Sequence, residues 1–432
     1  MKDISEVVCC VVDYGKFTLL GEAMGEKCKK AYYSTPTNRE FQDLNDCAKG
    51  DGVGGIERLD DFLDPDRVDE IDLYVFPDVG FAAEQRLLRS LGKAVWGAMG
   101  AGRYELYRTQ FLDLLKEIGL RAPPSLKIRG LTNLAEHLRK TSKKWIKINR
   151  YRAVMETWFH KDFEHSRQKL DALAVRLGGL KDQVPFVVQD EIDSDIEVGY
   201  DGWSIDGRFP SSSFQGYELK NELYLGSVLK REQLPTLVRN VNRAMAPVLE
   251  EFGYRNFIAT EIRGPYFIDP TLRMPGLTGD QLPCTCRNLP EIIWAGANGK
   301  LIEPDWGAKF AAVATLHYKD HTSHQWFSVR IPERVRQWVK LYHFCASGDL
   351  YHFIPSVPFE CDEAGTVVGM GDTIEQAIDQ CKANFDELEA EPLTAEIEGF
   401  ADLLEQIQDA EEKGIEFTDQ EVPDPQTVLD EG

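Results

Sequence analysis

The run Val7-Val8-Cys9-Cys10-Val11-Val12 constrains the fold more than any other stretch of the chain. Apolar residues rich in valine, halted by Asp13-Tyr14-Gly15, read as a buried strand. Phe17 to Lys30 then has helical spacing, and Ala31-Tyr32-Tyr33 reads as the next strand. Ile71 to Phe76 is another strand, stopped by Pro77-Asp78. Phe81 to Ser90 is helical, and Lys93 to Gly97 is a strand after it. Strand, helix and strand in alternation predict a small parallel α/β domain over residues 1–98.

Downstream the pattern is mixed. Arg108 to Leu120 is an amphipathic helix, ended by Pro123-Pro124. Trp145 to Asn149 and Val184 to Gln189 read as strands. Phe257 to Ile262 and Tyr266 to Asp269 read as a hairpin turning through Arg263-Gly264-Pro265. Periodicity leaves Ala308 to Thr315 and Gln337 to Phe344 open between strand and helix. Thr373 to Leu388 is a good helix, and Glu396 to Glu412 reads as an acidic amphipathic one. No internal repeat is visible.

Charge separates body from tail. The formal net charge is −23, but the stretch from Asp386 onward carries −16 of it and the remainder only −7. Nucleic-acid binding is not expected from such a balance, although a local basic groove is compatible with it. The tail past Pro392 is expected to be a solvated helix and disordered end, an arm for a protein partner, whose removal leaves activity intact. No run approaches the roughly 20 apolar residues of a membrane helix, and no leader pattern opens the chain, so a soluble, cytoplasmic protein is expected. Nine cysteines, several in apolar runs, favour buried thiols over a disulfide framework. Gly50-Asp51-Gly52-Val53-Gly54-Gly55 matches GxGxxG, but the polar stretch before it is no strand, so a loop is expected. No GxxxxGK[ST] occurs, nor any evident Ser-His-Asp or Cys-His arrangement.

The chemistry lies in charged residues at strand edges. Lys147 interrupts an apolar strand; Gln189 ends another, with Glu197 eight residues on. Glu261 and Asp269 sit eight residues apart on the two strands of the hairpin, and Arg273 follows four further on. Taken singly, each has an ordinary surface reading. Together they are the parts that triphosphate chemistry needs: cations for phosphate and carboxylates for magnesium.

In this order the residues resemble the ATP-grasp superfamily of ligases over about residues 70–390, in overall plan most like the phosphoribosylamine–glycine ligases. The resemblance implies an α/β (α+β) chain with an N-terminal parallel α/β pre-ATP-grasp domain at 1–98. An ATP-grasp domain at 99–305 would follow, with a small lid at about 124–192. Its C-terminal part would occupy 306–390, leaving 391–432 as the acidic helix and tail. It further implies that Arg108 and Lys147 hold ATP phosphates, with Lys220 as a further basic contact. Backbone groups around Gln189, Asp190 and Ile192 would read adenine, and Glu197 the ribose. Glu261, Asp269 and Thr271 would hold Mg2+ (or Mn2+), and Arg273 would stabilise the transferring phosphate.

Three positions depart from the family pattern. The usual Glu-x-Asn-x-x-Arg-like metal motif is here Asp269-x-Thr271-x-Arg273. The glycine-rich flap is replaced by Arg150-Tyr151-Arg152-Ala153-Val154-Met155-Glu156, whose arginines suit phosphate or a substrate carboxylate. The first phosphate lysine is Arg108. The function implied is an ATP-dependent carboxylate–amine ligase working through an acyl phosphate on small molecules, with ADP released. A small-molecule kinase and a nucleotide-binding regulator without turnover are the alternatives. Oligomeric state stays open, a homodimer being common in the superfamily.

Overall fold

The structure is a computed structural model and describes residues 1–36, 48–150, 157–194, 197–318, 326–354, 362–388, 390, 392–418, 422–423 and 425. Its first sheet is parallel throughout, in the spatial order Glu57–Arg58, Lys30–Ser34, Val8–Val12, Leu73–Val75, Ala94–Trp96. All five residues of Val8–Val12 are buried, as a strand covered on both faces must be. Strand order reverses between Val8–Val12 and Leu73–Val75, so the loops after these strands flank a switch-point crevice. The first of them is held by Asp13, whose buried carboxylate accepts from the amides of Gly15 (2.9 Å) and Phe17 (2.5 Å) and from the Tyr33 hydroxyl.

A four-stranded antiparallel sheet follows, ordered Ser125–Arg129, Pro185–Asp190, Lys144–Ile148, Thr157–His160. Helices Leu131–Leu138 and Phe163–Leu177 cover one face, where Leu134, Leu138, Leu170 and Leu173 meet Ile146, Ile148, Phe186 and Val188. Side chains alternate along a strand, so Trp145, Lys147, Val187 and Gln189 point to the other face.

The largest sheet is antiparallel. Its path runs Tyr266–Thr271, Arg255–Arg263, Glu197–Ile205, Ser212–Leu219, Leu223–Lys230, Phe310–Tyr318, Glu363–Gly371, Val339–Leu341. The two stretches that periodicity left open thus supply strands, Phe310–Tyr318 inside the sheet and Val339–Leu341 at the end of its path. They are almost wholly buried, which removes the alternation that separates strand from helix.

The glycine-rich loop has a packing role. Gly50 N–H donates to Phe344 O and Ala346 N–H to Asp51 O, both at 2.8 Å, which clips the loop to the small sheet of Phe327–Arg330, Leu350–Phe353 and Phe344–Ser347. Gly52 has φ +67°, and a Cβ there would lie 2.0 Å from Ala346 O. Gly52→Ala is therefore expected to destabilise the protein by about 2 kcal/mol or more, read as a lower melting temperature with nucleotide affinity unchanged.

The acidic tail differs from the solvated arm expected above. Helix Phe400–Glu412 packs on the largest sheet, with Phe400, Leu403, Leu404 and Ile407 all fully buried. Phe417 is equally buried against Tyr217 and Phe310. Leu393–Thr394 pairs with His317 and Tyr318 at a sheet edge. The acids occupy the outer face of an amphipathic helix whose inner face is core.

Candidate active site

Hairpin geometry sets the acidic part of the site. Glu261 lies directly opposite Asp269, and Ala259 opposite Thr271, so Glu261, Asp269 and Thr271 share one face. A register shift follows Glu261, and Gly264 (φ +53°) makes the turn. The cationic part comes from elsewhere. Arg108 opens helix Arg108–Glu117, which lacks a side-chain cap from its own N-terminus. Asn149, just past strand Lys144–Ile148, supplies the acceptors instead. Its carbonyl takes the Arg108 N–H (3.2 Å) and its Oδ1 the Thr109 N–H (2.7 Å). That cap ties the helix to the strand bearing Lys147.

Arg108 ion-pairs with Asp269. Burial opposes ionisation of Asp269, but the charges of Arg108 and Lys147 outweigh it and hold the carboxyl below its usual range. Burial, reinforced by Arg108, pushes Lys147 below the usual lysine range against the pull of Asp269. Glu261 is different. Burial, then the charges of Asp269 and Glu197, push it up to about 8. Its carboxylate has no hydrogen bond or ion pair among the described residues. Lys220, on the turn after Ser212–Leu219, adds a further positive charge felt by Lys147, Glu261 and Asp269.

A half-buried carboxylate pair with one member lacking an ion-pair partner, beside a hydroxyl, suits a hard divalent ion that keeps water and phosphate as its other ligands. Among the described residues no three His, Cys, Asp or Glu side chains converge into a full protein cage.

The other sequence candidates scatter around this centre. Gln189 ends the buried strand, its amide donating to Ser125 Oγ (3.2 Å). Asp190 pairs with Lys144 (2.6 Å), and the Ile192 carbonyl accepts from Ser194 N–H (2.9 Å). Glu197 pairs with Arg263 across the sheet (2.7 Å). Arg150 lies over the Tyr107 ring (5.3 Å). Arg152 and Glu156 lie outside the described residues. Arg273 turns toward the first sheet, its Nε 2.9 Å from Glu105 and 3.8 Å from Asp78. Glu105 also accepts the Leu272 N–H (2.7 Å) and is buried. The sequence reading missed Glu105 and Asp78. Glu105 sits in a four-residue helix with no periodic signal, and Asp78 reads as a turn residue.

The chain matches no known family model and no curated protein by sequence. Its three-dimensional arrangement does have counterparts. Phosphoribosylamine–glycine ligase from Thermotoga maritima superposes with a TM-score of 0.65 at 14% identity, over 90% of this chain and 98% of that one. The biotin carboxylase domain of 2-oxoglutarate carboxylase from Hydrogenobacter thermophilus, solved with MgADP, ADP and bicarbonate, gives 0.62 at 11%, over 95% and 96%. L-amino acid ligase from Bacillus licheniformis gives 0.59 at 15%, over 91% and 99%. The chain has the ATP-grasp fold. Lys147 projects from the open face of the four-stranded sheet toward the hairpin carboxylates. No helix among the described residues is long and apolar enough to cross a membrane.

Proposed function

We propose that the protein is an ATP-dependent carboxylate–amine ligase that activates a small-molecule carboxylate as its acyl phosphate and releases ADP and phosphate. One observation carries this reading. Arg108, Lys147 and Lys220, from three separate elements, face Glu261 and Asp269 on the hairpin. Such a cluster neutralises a triphosphate and its developing charge, and phosphoryl transfer asks little else of a protein.

Glu261 and Asp269, with the Thr271 hydroxyl, would hold Mg2+ or Mn2+, which supplies charge neutralisation at the phosphates. Arg108 is committed to Asp269 in the resting chain. With nucleotide and metal present, Arg108 would be the group to hold phosphate and Asp269 the group to hold the metal. Burial disfavours the charged form of Lys147, and phosphates beside it would favour that form. Arg273, braced by Glu105 and Asp78, stands between the metal carboxylates and the switch-point crevice of the first sheet. It positions the carboxylate to be phosphorylated, and Arg150 and Arg152 are further candidates for phosphate or that carboxylate.

The test is ADP release across a panel of carboxylates and amines, with magnesium and then manganese. The expected result is ADP formed in step with a new C–N bond for at least one pair. ADP formed with a hydroxyl substrate and no free phosphate would make the protein a kinase. Nucleotide binding without ADP across the whole panel would make it a regulator.

A further inference from the structure

The face of the largest sheet that bears Glu261 and Asp269 bears a further acid, Asp201. Glu261 pairs with Gly199 and Ala259 with Asp201, so Asp201 shares their face one row on. That row runs Thr271, Ala259, Asp201. Asp201 is thus a diagonal neighbour of Glu261, roughly 7–8 Å away between Cα atoms. Ala259 puts only a methyl group between Asp201 and Thr271. The opposite face is core, where Val198, Tyr200, Ile258 and Ile262 meet helix Thr236–Glu251. Asp201 itself is half-buried.

Its neighbours among the acids each have a cation. Asp269 has Arg108, Glu197 has Arg263 and Glu105 has Arg273. Asp201 has only neutral hydroxyl neighbours among the described residues, those of Tyr224 and Thr278. The Tyr224 hydroxyl donates to its Oδ2 (3.1 Å). The Tyr224 ring can lie across the sheet to do so because Gly216 and Gly226 have no side chains; a Cβ on them would fall 2.2 Å and 2.6 Å from ring atoms. Burial, then the charge of Glu218, push the Asp201 carboxyl up to about 7. A cation arriving beside it would return it to its charged form, and the carboxylate would keep that cation charged.

We infer that Asp201 binds the acceptor amine as its ammonium ion; this rests on the ligase reading above. An aliphatic amine is protonated in neutral solution, and a carboxylate already fixed by a hydroxyl meets it with a charge-assisted hydrogen bond. An amine held there lies one row from the metal carboxylates and beside the strand end that leads to Arg273, where the activated carboxylate is placed above. The acceptor class is therefore a cationic amine rather than a neutral hydroxyl or amide. The rival accounts are a carboxylate that serves the metal and one that only anchors Tyr224.

The test uses the full-length chain with a productive carboxylate of the ADP panel and two acceptors, its amine and hydroxylamine. Hydroxylamine is uncharged in neutral solution and traps an acyl phosphate as the hydroxamate, so it reports carboxylate activation without an ammonium site. Asp201→Asn keeps an acceptor for Tyr224 and removes the charge. It is expected to raise KM for the amine about tenfold or more, while hydroxamate forms at the wild-type rate and with the wild-type KM for hydroxylamine. An unchanged KM for the amine overturns the inference. So does a parallel loss of amide and hydroxamate, which would assign Asp201 to the metal or to the fold. Wild-type protein that forms neither product from any carboxylate overturns the ligase reading itself.

Discussion

Glu261→Gln is expected to lower ADP formation by about a hundredfold or more while leaving the protein folded and, at alkaline pH, more stable. The half-buried carboxylate lies opposite Asp269 on the hairpin and is pushed up to about 8 by desolvation and the neighbouring charges of Asp269 and Glu197. An acid with a raised folded value binds its proton more tightly in the native state than in the unfolded chain. Stability therefore falls as pH rises from the unfolded value, near 4.5, through about 8, and the penalty is fully present above that. Gln carries no charge to penalise. In metal-free buffer at pH 8.5 the variant should thus melt above the wild type, and the difference should vanish at pH 4. Added magnesium should raise the wild-type melting temperature at pH 8.5 and move the variant little, because the amide is a poorer ligand for a hard cation. ADP formation retained in the variant would remove Glu261 from the metal site. A lowered melting temperature at pH 8.5 would mean that Glu261 is a structural residue.

Deleting residues 392–432 is expected to abolish soluble, folded protein. Leu393, Phe400, Leu403, Leu404, Ile407 and Phe417 are all buried against the largest sheet. Full burial of such a side chain contributes roughly 1.5–3 kcal/mol, so the six together contribute on the order of 10 kcal/mol. That is comparable to the whole stability of an ordinary domain, about 5–15 kcal/mol. A chain ending at Glu391 would also lose the pairing of Leu393–Thr394 with His317 and Tyr318 at the end of strand Phe310–Tyr318. Soluble yield and circular dichroism of the truncated chain provide the measurement. A well-folded product with the wild-type melting temperature would show that the tail is an appendage. Charge and packing report different faces here: the acidity belongs to the outer face of helix Phe400–Glu412, and the inner face holds the sheet's cover.

Much of the site was legible from single strands. Val8–Val12 announced a strand buried on both faces because apolarity without alternation has few other meanings at that length. Lys147 stood out because one charge inside an apolar strand must either reach a surface or serve a partner. Glu261 and Asp269 were readable as acids on the two strands of one hairpin, but the register shift that puts Asp269 rather than Ile268 opposite Glu261 was not. These are local properties, encoded within ten or so residues of one another.

What the sequence could not supply were the partners brought by long-range contacts. Nothing near Arg108 marks Asp269 as its counter-ion, 161 positions away. Nothing near Arg273 marks Glu105, whose side chain arrives from a helix of four residues. The row of Ser125, Gln189, Trp145 and Phe159 exists only once four strands are laid side by side. By itself, then, the sequence determined which segments are strands with a buried face and which carry an anomalous charge, because alternation and burial act residue by residue. Only the tertiary structure decided which charges neutralise one another, which side chains share the open face of the four-stranded sheet, and that the acidic tail is core on its inner side. Those outcomes depend on distances between segments far apart in the chain, and periodicity carries no record of them.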